Sequence, residues 1–137
     1  MKVAVAIISD EEDRILITQR PLHASHGGFW EFPGGKLESG ELPEEALVRE
    51  IKEELGIQVN TFRYLDTISY QYPEYKVHLH VFHVTGYSGE PACLEGQPGL
   101  RWVYLNQLNP EDFPEANHKV IGMLLSKETM PCVSTLP

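Results

Sequence analysis

At 137 residues and 42% hydrophobic content, the chain is long enough for one domain with a buried core. A formal net charge of −9 argues against a general binder of nucleic-acid backbones, which carries basic patches, and is compatible with an enzyme that meets an anionic substrate through metal ions. Cys93 and Cys132 are too few for a disulfide framework and lack zinc-site neighbours, so inert thiols in a reducing compartment are expected.

Val3 to Ser9 is a continuous apolar run, expected to form a strand buried on both faces. The run is too short for the apolar region of a signal peptide or for a bilayer span, so a cytoplasmic protein with no membrane partner is expected. Asp10 to Asp13 reads as a polar turn, and Arg14 to Gln19 returns as a second strand that Arg20 ends. Arg20 has two readings, a surface charge or a contact to a substrate phosphate or base. Pro21 to Trp30 is a mixed-polarity loop of the sort that closes over ligands, and it carries His23, Ser25 and His26. In Glu31-Phe32-Pro33-Gly34-Gly35, the paired glycines allow close backbone approach and leave a carbonyl to point at something bound. Lys36 is either a surface lysine or a phosphate contact.

Gly35 to Ile57 then reads GKLESGELPEEALVREIKEELGI. Pro43 suits the first turn of a helix, and Glu41, Glu44 and Glu45 place negative charge near its positive end. Gly56 suits the left-handed residue that stops one, so a helix is predicted over Pro43 to Leu55. At about 100° per residue, Leu47, Val48, Ile51 and Leu55 form a core stripe. Glu50, Glu53 and Glu54 form an adjacent stripe with Ala46 among them. Carboxylates at i, i+3 and i+4 repel one another, and a bound divalent cation, Mg²⁺ or Mn²⁺, would relieve that repulsion. Arg49 can reach Glu45 and Glu53 at i±4. For the glutamates alone, a solvated acidic face is the other reading.

Phe62 to Gln71 and Lys76 to Tyr87 are predicted strands around a turn at Pro73-Glu74, with Val77, Leu79 and Val81 alternating against His78, His80 and Phe82. His78 and His80 are read either as a partly exposed strand face or as a metal pair. Gly86 to Gly99 reads as a loop and Leu100 to Leu105 as a strand containing Trp102. Phe113 to Asn117 leads into a last helix, about Glu115 to Lys127, with Val120, Ile121, Leu124 and Leu125 as its core stripe. The domain is expected to span 1–128, with a loose tail at 129–137.

Gly35, Glu41, Arg49, Glu50, Glu53, Glu54 and Gly56, with apolar Ile51 and Ile57, match the pattern G-x5-E-x7-R-E-U-x-E-E-x-G-U, where U is apolar. Average residue usage meets it by chance at roughly 10⁻⁹ per start position. The chain thus resembles the Nudix hydrolases, which hydrolyse nucleoside diphosphates linked to another group. The resemblance runs to about residue 126. EFPGGK, EGQPG and FPEAN look like the MutT branch, which hydrolyses 8-oxo-dGTP to 8-oxo-dGMP and pyrophosphate and so keeps oxidised guanine out of DNA. It implies an α/β fold, an α/β/α sandwich around a mixed sheet. By the same resemblance, Glu50, Glu53, Glu54, Glu95 and the Gly34 carbonyl hold one or more Mg²⁺, with Mn²⁺ a possible substitute. Glu50 takes the proton of the attacking water, oriented by Arg49, and Glu95 is the alternative base. Arg20, Phe32 and Asn117 surround the base, and Glu31, Pro33, Gly34 and Lys36 join the substrate contacts. Ser25 stands where the family can place a histidine. The substrate is a small nucleotide, with no direct nucleic-acid binding, and a monomer is expected.

Chemistry supports Asn117 independently. Ordinary guanine offers two acceptors, O6 and N7, whereas the 8-oxo form carries a proton on N7 and offers one acceptor beside one donor. An Asn amide complements that edge and leaves a mismatch against normal guanine. Adenine also shows one donor and one acceptor, so oxidised adenine remains open, as does a helix-capping role for Asn117. The rival functions are hydrolysis of ADP-ribose or dinucleoside polyphosphates, and a non-catalytic nucleotide sensor.

Overall fold

The elements in chain order are strands β1 (Lys2–Ile8), β2 (Ile15–Gln19), β3 (Trp30–Glu31) and β4 (Gly34–Lys36), then helix α1 (Pro43–Leu55), strands β5 (Gln58–Gln71), β6 (Lys76–Ser88) and β7 (Leu100–Val103), and helix α2 (Glu115–Thr129). This computed structural model describes residues 1–129, so the expected tail lies outside the described residues from position 130 on, Cys132 with it. The strands form a mixed sheet in the order β4-β1-β6-β5 and an antiparallel sheet in the order β3-β2-β7. Within the mixed sheet β1 and β6 run parallel, and the other neighbours are antiparallel. An isolated bridge between Ser9 and Ile15 links the two sheets at the turn between β1 and β2.

β1 supplies the reason for the layering. Its residues alternate between faces and both faces are apolar, so each must be covered. Ala4, Ala6 and Ile8 pack into one core with Ala46, Leu47, Ile51 and Leu55 of α1. Val5 and Ile7 pack into a second core with Val120, Ile121 and Leu124 of α2. The result is an α/β/α sandwich. Small side chains at Ala4, Ala6 and Ala46, all fully buried, leave room for α1 close to the strand.

The chemistry of α1's ends fixes its bounds. Pro43 opens it, and the Glu45 carboxylate accepts the Leu42 N–H at 2.9 Å. Gly56 closes it at φ 75°, a left-handed conformation that glycine takes without strain, and donates its N–H to the Lys52 carbonyl. Glu45 is thus occupied with the cap and does not pair with Arg49, contrary to the i±4 expectation.

Elsewhere the strand limits move for identifiable reasons. The Gln58–Ser88 pairing extends the hairpin past Gly86, so the loop begins after Ser88. Pairing of Thr18 with Glu31 and Gln19 with Trp30 makes a short strand where a loop end was expected. Gly34 to Lys36 is a strand because it pairs with Val3 to Val5. The last strand stops at Val103, not Leu105, because the Gln107 carboxamide takes the Tyr104 N–H at 2.7 Å and a 3₁₀ turn follows over Leu105–Gln107.

Ile51→Ala removes a fully buried side chain from the α1 core. It is expected to lower the unfolding free energy by about 2–5 kcal/mol in urea denaturation, and a loss below about 0.5 kcal/mol contradicts this packing.

Candidate active site

Arg49 sits on the outer face of α1 and organises the acids around it. Its Nε and Nη2 donate to the two oxygens of Glu41 at 2.7 and 2.9 Å, a two-point grip. Nη1 reaches Glu50 at 3.0 Å and Glu53 at 3.2 Å, and Nη2 also donates to the Lys36 carbonyl at 3.1 Å. These bonds hold the Glu41 carboxyl well below the usual range, at about 2, chiefly through hydrogen bonding to Arg49. The guanidinium is raised for the same reason.

Behind this pair lies an acid with no such partner. Glu54 is only 8% exposed, and the one hydrogen bond to its carboxylate among the described residues comes from the Gly34 N–H at 3.4 Å. Burial first, then the charges of Glu31, Glu50 and Glu95, push its carboxyl up to about 9. Glu50 is raised too, mainly by burial, against the opposing pull of Arg49. Carboxylate oxygens of Glu50, Glu54 and Glu95 lie within 4.8 Å of one another. Three hard oxygen donors and an uncompensated buried acid fit a divalent cation such as Mg²⁺ or Mn²⁺.

Glu95 reaches the cluster because its loop closes the open end of α1. The last carbonyls of a helix lack partners within it. Here the Ala92 N–H takes the Leu55 carbonyl and the Leu94 N–H takes that of Glu54, both at 3.0 Å. The Gln97 side chain donates to the same Glu54 carbonyl at 3.2 Å and accepts the Glu95 N–H at 2.8 Å. On the other side of the cluster, Gly35 packs against Glu50 so closely that a Cβ there would overlap the carboxylate.

Two members of the cluster, Glu54 and Glu95, line a cleft of about 610 Å³, and Glu50 is not among its lining residues. Of the residues expected to meet substrate, Arg20, Ser25, Glu31, Phe32, Gly34, Lys36 and Asn117 line it. Arg20 pairs with Glu31 at 2.9 Å and donates to the Ser25 carbonyl at 2.6 Å. Glu31 is raised by burial despite that pairing. Phe32 stacks on Phe113 with centroids 5.4 Å apart. Pro33 is not among the lining residues; it is buried, and its carbonyl accepts the Ala6 N–H at 2.8 Å. Glu53 is likewise outside the carboxylate cluster, with a side chain 48% exposed and held by Arg49. His78 and His80 bond to Ser69 and Thr67 across the hairpin and line no part of the cleft.

Sequence reasoning missed the wall made by Tyr72, Tyr75, Val77 and Leu79. The alternation of Val77 and Leu79 signalled a buried face, but nothing local said that part of this face borders a cleft. His26 also lines the cleft, its ring 5.4 Å from that of Tyr72, while Ser25 beside it is exposed.

A family model described as NUDIX domain matches residues 4–123. The chain is 44% identical over 124 residues to the 8-oxo-dGTP diphosphatase of Escherichia coli K12, covering 90% of this chain and 95% of that protein. It is 36% identical over 115 residues to the CTP pyrophosphohydrolase of the same organism, covering 80% and 84%. Among solved structures it matches a MutT from work on Aliivibrio salmonicida and Vibrio cholerae, at 35% identity and a TM-score of 0.76, covering 93% and 99%.

The raised acids set a pH dependence for the protein kept free of metal by a chelator. Glu54 has a folded pKa of about 9 against an ordinary 4.5, so the folded state keeps a proton that the unfolded state gives up. Stability is therefore fullest below the ordinary value and falls as pH rises through that window. The melting temperature is expected to be lower at about pH 8.5 than at about pH 5.5, and Glu54→Gln is expected to flatten most of the slope. An unchanged slope in that variant contradicts the burial of Glu54.

Proposed function

This chain belongs to the Nudix hydrolase family, and from that premise we propose that it hydrolyses 8-oxo-dGTP to 8-oxo-dGMP and pyrophosphate, keeping oxidised guanine out of newly made DNA. The observation that carries the reading is one cleft lined both by Glu54 and Glu95 of the acidic cluster and by Asn117. The first suits a triphosphate with its cation, the second an oxidised base. Among the described residues the Asn117 side chain has no hydrogen-bond partner, so its amide is available to a ligand and is not a cap.

Nudix hydrolases generally use a divalent metal. Here we assign Mg²⁺, with Mn²⁺ as substitute, to Glu50, Glu54 and Glu95 with the Gly34 carbonyl. Glu53, paired with Arg49, is the further acid for a second ion. When bound, the cation neutralises charge on the triphosphate and makes a water more acidic.

The chain's own residues supply the remaining chemistry. Glu50 accepts the proton of the attacking water. Arg49 holds one Glu50 oxygen and Gly35 leaves room for the carboxylate, so the base enters the reaction already oriented. Lys36 faces the phosphates. Phe32, backed by Phe113, offers a flat apolar surface to the base, and Arg20, fixed by Glu31 and the Ser25 carbonyl, borders it. Asn117 reads the edge that oxidation changes.

The net charge of −9 speaks for a small nucleotide in place of a polymer, and among the described residues no helix is long and apolar enough to cross a membrane. A cytoplasmic monomer is the form we propose.

The test is kcat/KM with Mg²⁺ for 8-oxo-dGTP, dGTP and CTP side by side, with Glu50→Gln as control. The oxidised nucleotide is expected to win by roughly 10²-fold or more, with pyrophosphate released. Glu50→Gln is expected to lose about 10²–10⁴-fold in kcat. Equal rates on all three nucleotides, or a winning CTP, overturn the substrate, and near-normal turnover in the variant overturns the base.

A further inference from the structure

We infer that Tyr72 is a positioning residue for base discrimination: its hydroxyl, by holding the N–H of Ala116, sets the place of Asn117 in the cleft. The inference rests on the substrate reading above. It starts from a backbone group that α2 cannot satisfy. Ala116 lies in the first helical turn, where N–H groups lack partners within the helix, and it is 3% exposed, so water is a poor substitute. The Tyr72 hydroxyl accepts that N–H at 3.0 Å in a buried setting. The next residue in the chain is Asn117, whose own N–H goes to the Pro114 carbonyl at 2.9 Å.

Tyr72 is in turn held on several sides. It is 7% exposed, its N–H donates to the Tyr75 carbonyl at 2.8 Å, and its carbonyl accepts from the Gln71 side chain at 2.7 Å. Its ring lies 4.8 Å from that of Tyr70, 5.1 Å from Tyr75 and 5.4 Å from His26. The residue therefore connects the turn between β5 and β6, the loop bearing His26, and the start of α2. Other ties from β5 to α2 run through Tyr70 to Glu115 and through Ser69 to Lys119, and both are exposed. Only the Tyr72 bond, among the described residues, joins β5's end to the α2 backbone beside Asn117 in a buried place.

A reading amide discriminates only while its donor and acceptor face their partners, and a displacement of about 1 Å can cost about 10²-fold. Tyr72→Phe keeps the ring and deletes the hydroxyl. We would measure kcat and KM for 8-oxo-dGTP and dGTP in the wild type, Tyr72→Phe, Asn117→Ala and the double variant. The preference for the oxidised nucleotide is expected to fall roughly tenfold in Tyr72→Phe, with the loss in KM. In the Asn117→Ala background the same change is expected to have no further effect on the preference, because nothing remains to be positioned. A role confined to stability would shift the melting temperature and leave the preference in place. Full preference in Tyr72→Phe overturns the inference, and so does an equal loss with or without Asn117. A wild type with no preference overturns the substrate reading, and this inference with it.

Discussion

The Arg49 guanidinium faces Glu41 on one side and Glu50 and Glu53 on the other, and without it the acidic stripe of α1 would spread apart under its own repulsion. Its five donors suit this task in a way a lysine's would not, since a planar fork can grip one carboxylate at two points and still reach others. The guanidinium does not reach every acid. It leaves Glu54 buried and uncompensated, among Glu50, Glu95 and Glu31. Outer acids kept ionised by a guanidinium, beside inner acids whose ionisation burial and mutual repulsion oppose, make an arrangement poorly suited to an empty protein and well suited to one that takes up a cation.

The fold supplies what one helix cannot. α1 presents Glu50 and Glu54, but the groups that complete the site arrive from elsewhere. β4 brings Gly34 and Gly35 against those carboxylates because it pairs with β1, on which α1 also packs. The loop before β7 brings Glu95 because its N–H groups satisfy the unpaired carbonyls at the end of α1. The same bonds that finish the helix therefore place the third acid. On the opposite face of β1, the second core carries α2 and, at its first turn, Asn117. Strand residues a single step apart thus support the acidic cluster and the helix that carries Asn117.

Much of this was legible in the sequence, and the reasons are local. Pro43 and Gly56 each have a conformation that few other residues share, so they marked both ends of α1 to the residue. The double-faced burial of β1 followed from an unbroken apolar run. The spacing of the glutamates predicted one acidic stripe on α1, and two of its members, Glu50 and Glu54, converge with Glu95. The illegible parts depend on contacts distant in sequence. Glu54 differs from Glu53 by one position, yet one is buried and the other exposed, because the Gly34 strand and the Glu95 loop happen to cover only one of them. The main partner of Arg49, Glu41, precedes the helix and lies outside the i±4 rule that suggested Glu45. The strand order and the Tyr72 wall required the long hairpin to be placed beside β1, which no local pattern dictates.

The central claim is that Glu54, with Glu50 and Glu95, forms a cation site that exists before substrate arrives. Binding of Mn²⁺, followed by electron paramagnetic resonance on the protein without nucleotide, tests it most directly. The account predicts saturable binding to the wild type, preserved in Glu111→Gln, a remote exposed acid, and weakened at least about tenfold in Glu54→Gln, since removing one charged ligand alters both attraction and coordination. Binding of equal strength in Glu54→Gln and the wild type would contradict it.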